Sequence, residues 1–185
     1  MKTRTKRLLV GFAAVVGLAI VVMVGFFKYV MRSFDQSLQP VTDLARYPEI
    51  KAQWSTNLVS HFPAAAPDSA VFYFQAGFLQ GGSSLQLKVS MSDSEIASEL
   101  SKISNNVLAT YHGGNVNVHA NETNGIPTTF FFTNETNDHT FPGDYAVIVI
   151  KADRRGGNSS WNHGATAGVA VSTQRHVVVY WAEDW

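Results

Sequence analysis

The chain has 185 residues, 14 of them basic and 14 acidic, with 45% hydrophobic residues and no cysteine. That length suits one domain plus an accessory segment, and the missing thiols exclude disulfides, zinc–thiolate sites, iron–sulfur clusters and cysteine nucleophiles. Six of the 14 bases (Lys2, Arg4, Lys6, Arg7, Lys28 and Arg32) precede residue 35, leaving eight against all 14 acids, an acidic remainder ill suited to nucleic acid, whose phosphates need clustered Lys and Arg.

Leu8 to Phe27 carries no charged residue. About 20 helical residues span roughly 30 Å, the thickness of a bilayer's hydrocarbon core. A cleavable signal peptide has a shorter apolar core, ~7–15 residues, followed by small residues; here Lys28-Tyr-Val-Met-Arg32 follows. The expectation is a retained signal anchor, a single-pass transmembrane helix inserted in the lipid bilayer. Four bases precede the run and two follow it, which places the N-terminus in the cytoplasm and the rest of the chain outside. The division expected is 1–34 as basic tip and anchor, 35–67 as helical stalk and first amphipathic helix, and 68–185 as the soluble domain.

Ser33 to Tyr47 reads as a helical stalk interrupted by Pro40. Ile50, Trp54, Leu58 and Phe62 follow at four-residue spacing, the stripe of one amphipathic helix. Val71–Gln75 reads as a strand, and Leu85–Met91 as a second whose Leu85, Leu87, Val89 and Met91 face inward while Gln86, Lys88 and Ser90 face water. Gly77–Gly82 supplies hairpin glycines. Ser92-Asp-Ser-Glu95 is a capping box opening a helix with the stripe Ile96, Leu100, Ile103, Val107. Asn115–His119 and Thr128–Thr133 read as further strands, Tyr145–Ala152 as a strand covered on both faces, and Gly168–Ser172 with His176–Ala182 as a hairpin turning near Thr173-Gln174. Strands clustered by hairpins, with helices segregated from them, predict an α+β fold: an antiparallel sheet with two or three helices on one face, after the N-terminal helix.

No Gly-x-Ser-x-Gly, His-Glu-x-x-His, P-loop or dinucleotide fingerprint occurs in the chain, so no cofactor and no metal are expected and catalytic residues are unassigned. Two loops stand out as binding candidates. Trp161, Asn162 and His163 lie together in the glycine-rich stretch 154–164, where a rigid aromatic flanked by an amide and an imidazole suits a sugar, a peptide or an acyl carbonyl. Phe78 and Leu79 form a bulky apolar tip between glycines. Asp138, His139 and Asp144 precede one strand and His163 follows it, at opposite ends unless the return loop doubles back, which makes them a weaker metal grouping; Glu183 and Asp184, being adjacent, must point to opposite faces, at what reads as a solvated edge.

Phe78-Leu-Gln-Gly-Gly82, Trp161-Asn-His-Gly164 and Tyr180-Trp-Ala-Glu-Asp-Trp185 resemble stretches of bacterial, cyanobacterial-type membrane-anchored proteins. That resemblance implies a bacterial envelope setting and no activity. The expected function is a non-enzymatic binding or assembly module of the cell envelope, exposed outside the cytoplasm and acting on an envelope protein partner. The alternative is an envelope hydrolase or ligand-binding enzyme built on the loop at Trp161–His163.

Overall fold

The computed structural model describes residues 16–32, 39–77, 82–114, 131–133, 140–154 and 164–184. The chain forms two compact units, Met1–Gln39 and Pro40–Trp185. In the first, residues 16–32 form helix α1. Its Leu18, Val21, Val22, Met23, Phe26 and Phe27 each expose 63–69% of their surface. Among the described residues no helix is long and apolar enough to cross a membrane; residues 8–15 of the apolar run lie outside them.

The second unit opens in extended chain. The stalk helix expected through Tyr47, with an interruption at Pro40, is absent over residues 39–43; Pro40 disfavours helical backbone only at Gln39, and beyond it the chain is drawn into pairing. Val41 instead pairs with Phe74, donating at 2.8 Å and accepting at 2.9 Å. A 3₁₀ turn, Leu44–Arg46, leads into helix α2, Tyr47–Gln53, with Pro48 in its first turn. Trp54 then turns extended (φ −83°, ψ 154°), and helix α3, Thr56–Val59, starts afresh. The expected single helix is therefore two. Its stripe survives the break: Ile50, Leu58 and Phe62 are buried, while Trp54 swings to meet Phe74 edge-on at 6.4 Å.

Strands β1 (Val71–Gln75) and β2 (Ser83–Ser90) form the expected hairpin. Helix α4, Asp93–Ile103, carries the reciprocal capping box between Ser92 and Glu95. Strands β3 (Ala109–His112), β4 (Ala146–Arg154), β5 (Gly164–Ser172) and β6 (Val177–Asp184) complete one sheet of order β1-β2-β6-β5-β4-β3, antiparallel at every junction. The chain lays down one edge, crosses with α4 to the other edge, and meanders back until β6 slots between β5 and β2. β3 was not foreseen. Asn115–His119 lies outside the described residues, and the described part of the expected strand at 128–133, residues 131–133, is a turn.

One face packs Phe72, Leu85, Leu87, Val89, Val169, Val178 and Tyr180 against Tyr47, Ile50, Leu58, Phe62, Ile96 and Ile103 of the helical segments. The fold is thus α+β with helices on that face. The opposite face is covered as well: Val147, Val149, Ala170, Val179 and Trp181 pack with Phe131, Phe141 and Tyr145. Two expectations fail there. Gln86 does not face water but is fully buried, its side-chain oxygen accepting from the backbone N–H of Phe132 (3.0 Å) and Thr133 (3.3 Å). Glu183 is not at a solvated edge; β6 is an inner strand and Glu183 is fully buried. Alternation of apolar and polar residues reports two environments, and here the second is a polar layer under chain rather than solvent.

Gly168 serves close approach. A Cβ there would sit 1.9 Å from the Ile148 carbonyl oxygen and 2.8 Å from Cζ2 of Trp181, beside the register shift in β4 between Val149 and Lys151.

Candidate functional site

Trp161, Asn162, His163, Phe78 and Leu79 all lie outside the described residues. The strands that carry their loops are described, and their register is informative. Ser83 pairs with Asp184, Asp184 with Ala165, and Ala165 with Asp153. The stretches 76–82 and 155–163 therefore spring from the same end of the sheet, from strands two places apart, about 10 Å at the usual strand spacing. Asp144 belongs to the other end. Its carboxylate accepts from Ser172 Oγ (2.6 Å) and from Arg175 Nε and Nη2 (2.7 and 3.1 Å); the Arg175 hydrogen bond and charge hold it well below the usual carboxylate range, to about 2. β4 runs its whole length between Asp144 and the base of the 154–164 loop, the separation expected from residue order; Asp138, His139 and His163 lie outside the described residues. Among the described residues no three His, Asp or Glu side chains cluster as metal ligands.

The row beneath the two loops is polar and buried. Glu183 sits between Ser84 on β2 and Thr166 on β5, its direct partners, and all three are at most 4% exposed. Gln86 and Trp181 pair in the row below. Thr133 closes over Gln86, and Phe132 stacks on Tyr73 at 4.6 Å. The indole N–H of Trp181 is buried without an acceptor among the described residues. A carboxylate in such a place costs several kcal/mol unless its surroundings are polar, and buried acids of this kind recur at functional sites.

On the helical face two clefts flank Trp54. One, about 220 Å³, lies at the loop-bearing end and is lined by Gln53, Trp54, Ser55, Phe74, Ser83 and Asp184. The other, about 380 Å³, opens where α2 stops and α3 restarts; Lys51, Trp54, Thr56, Val59 and Ser60 are among its walls. Lys51 Nζ donates to the carbonyls of Phe62 (3.1 Å) and Pro63 (2.8 Å), and Tyr47 Oη donates to that same Pro63 carbonyl at 2.6 Å. Burial lowers the Lys51 pKa. Sequence reasoning singled out neither Lys51 nor this cleft. Both arise from the break at Trp54, and the only sign of that break was Ser55-Thr56, a pair that competes with helix through local hydrogen bonds.

Two of the described histidines, His61 and His176, make contacts within the fold. His61 is packed between Phe62 and Tyr180, and its Nε2 donates to the Gly168 carbonyl at 2.9 Å, since a carbonyl only accepts. Burial pulls its pKa down to about 4, with the charge of Lys51 acting in the same direction. His176, at φ +53°, turns the β5–β6 hairpin and meets Asp93 through Nδ1 at 3.0 Å.

Fold and sites together define an α+β protein with an open six-stranded antiparallel sheet and polar groups gathered at one end. No protein-family model, curated protein or solved structure matches the chain.

Proposed function

We propose that this is a single-pass membrane-anchored protein whose α+β unit stands outside the cytoplasm and works as a binding or assembly module of the cell envelope. The observation that carries the reading is α1: a helix whose apolar side chains are exposed on every side, in a unit separate from the folded one. A helix apolar all round suits lipid or a large core. The basic excess before it supports the orientation, and the resemblance of residues 78–82, 161–164 and 180–185 to bacterial anchored proteins supports the setting. Clefts and loop bases gathered on one acidic unit suit recognition of a partner. Expressed in a bacterial host, the full chain is expected in the membrane pellet after alkaline washing, with a C-terminal alkaline phosphatase fusion active. Recovery in the soluble fraction, or an inactive fusion, defeats the proposal.

The buried Glu183 favours one second reading, an envelope hydrolase using the loop at Trp161–His163, because that loop springs from the same end of the sheet. It requires Glu183→Gln to abolish a measurable hydrolysis while the protein remains folded.

A further inference from the structure

The cleft between α2 and α3 has the makings of a ligand site. It exists because Trp54 breaks the helix, so its walls come from two elements held at a fixed angle by their own core contacts through Ile50, Leu58 and Val59. Its volume, about 380 Å³, lies at the lower end of the range for small-molecule sites, ~300–1,000 Å³. Pro48, Ala52, Trp54, Val59 and Ala64 give it an apolar body, and Thr56, Ser60 and Lys51 are its polar groups. Such a lining, mostly apolar with a few placed polar atoms, is the usual composition of a pocket for an organic molecule.

Lys51 fixes the charge of the occupant. An ammonium group has three donors. Two are taken by the neutral carbonyls of Phe62 and Pro63, and no carboxylate among the described residues pairs with it. Its ammonium also lies 6.0 Å from the centroid of the Tyr47 ring. In a unit where acids outnumber bases, this half-buried cation is paired with none of the described ones. A fixed positive charge beside an apolar pocket, with one donor left over and two hydroxyl-bearing residues on the rim, is complementary to a small organic anion.

We propose that the α2–α3 cleft binds a monocarboxylate with a compact apolar or aromatic body, its carboxylate on Lys51 and its body along Trp54 and Val59. This goes beyond the envelope-module reading and does not depend on where the protein resides. The test is calorimetric titration of the full chain, in lipid nanodiscs when it is recovered from the membrane and in plain buffer when it is recovered soluble, the matching blank subtracted, with 3-phenylpropanoate and its uncharged isostere 3-phenylpropanamide. The carboxylate is expected to bind saturably, one per chain, and the amide at least tenfold more weakly, since a charge-assisted bond is about twice as strong as a neutral one. Lys51→Arg keeps the affinity within a few-fold and Lys51→Gln loses at least tenfold. Because Lys51 also clasps two carbonyls, Ala52→Glu is the second variant: Ala52 is an exposed wall residue, so a carboxylate there adds a negative charge to the cleft wall without touching the core and is expected to weaken binding of the anion at least tenfold. Equal binding of acid and amide, no saturable binding of either, or unchanged affinity in Ala52→Glu overturns the proposal.

Discussion

His61 makes the folded unit sensitive to mild acid. Its pKa is drawn down to about 4 in the folded state by burial, whereas in the unfolded chain it titrates near 6.5. Between those values the unfolded chain holds a proton that the folded one does not. The contribution is therefore fully present above pH 6.5 and is lost as pH falls toward 4, below which it changes no further. At 1.36 kcal/mol per pKa unit, the full difference is about 3 kcal/mol, and the part lost between pH 7 and pH 5 is about 2 kcal/mol. His61→Gln removes the titration while leaving a side-chain donor within reach of Gly168. Urea unfolding of both proteins at pH 7 and pH 5 gives a double difference in which the other five histidines cancel. The wild type is expected to lose about 2 kcal/mol more than the variant over that interval. Equal losses would mean that His61 is hydrated in the folded state, and the tight contact with the Gly168 carbonyl would have to be abandoned.

Two further substitutions test the sheet. Gly168→Ala drives a methyl group to within 1.9 Å of the Ile148 carbonyl oxygen, a backbone atom that cannot step aside, so a loss of ~3 kcal/mol or more is expected in thermal unfolding; a change below 0.5 kcal/mol would place β4 farther away. Gln86→Ala strands the N–H groups of Phe132 and Thr133 and is expected to cost about 2–3 kcal/mol in denaturant unfolding. If Gln86 were solvated, its loss would fall within ~0.5 kcal/mol.

The elements legible in the sequence were those with a complete local signal. The Ser92–Glu95 box needs only four residues to declare itself, and α4 begins there; β1 and the terminal hairpin carried unbroken apolar runs. What failed depended on partners far along the chain. Ala109-Thr-Tyr-His112 alternates, but over only four residues, too short a run to announce a strand, and it becomes β3 because β4 offers it an edge. Gln86 and Glu183 look solvated by pattern and are dry because a second layer lies over their face. Trp54 fitted a helical stripe and left it for Phe74, a residue 20 positions on. Of the two candidate loops, sequence gave their residues, and only strand register showed that they spring from a common end.

β6 lies between β2 and β5, and it alone joins the edge pair β1–β2 to the meander β3–β4–β5. Until Val177–Asp184 has been synthesised, the two halves of the sheet have nothing to zip together, and Leu85 and Leu87 on one side and Val169 on the other lack the wall that Tyr180 and Val178 provide. Closure of the sheet is thus deferred until β6 has been made. A ribosome adding ~5–20 residues per second takes several seconds to pass from β2 to β6, and throughout that interval the two halves of the sheet remain unjoined.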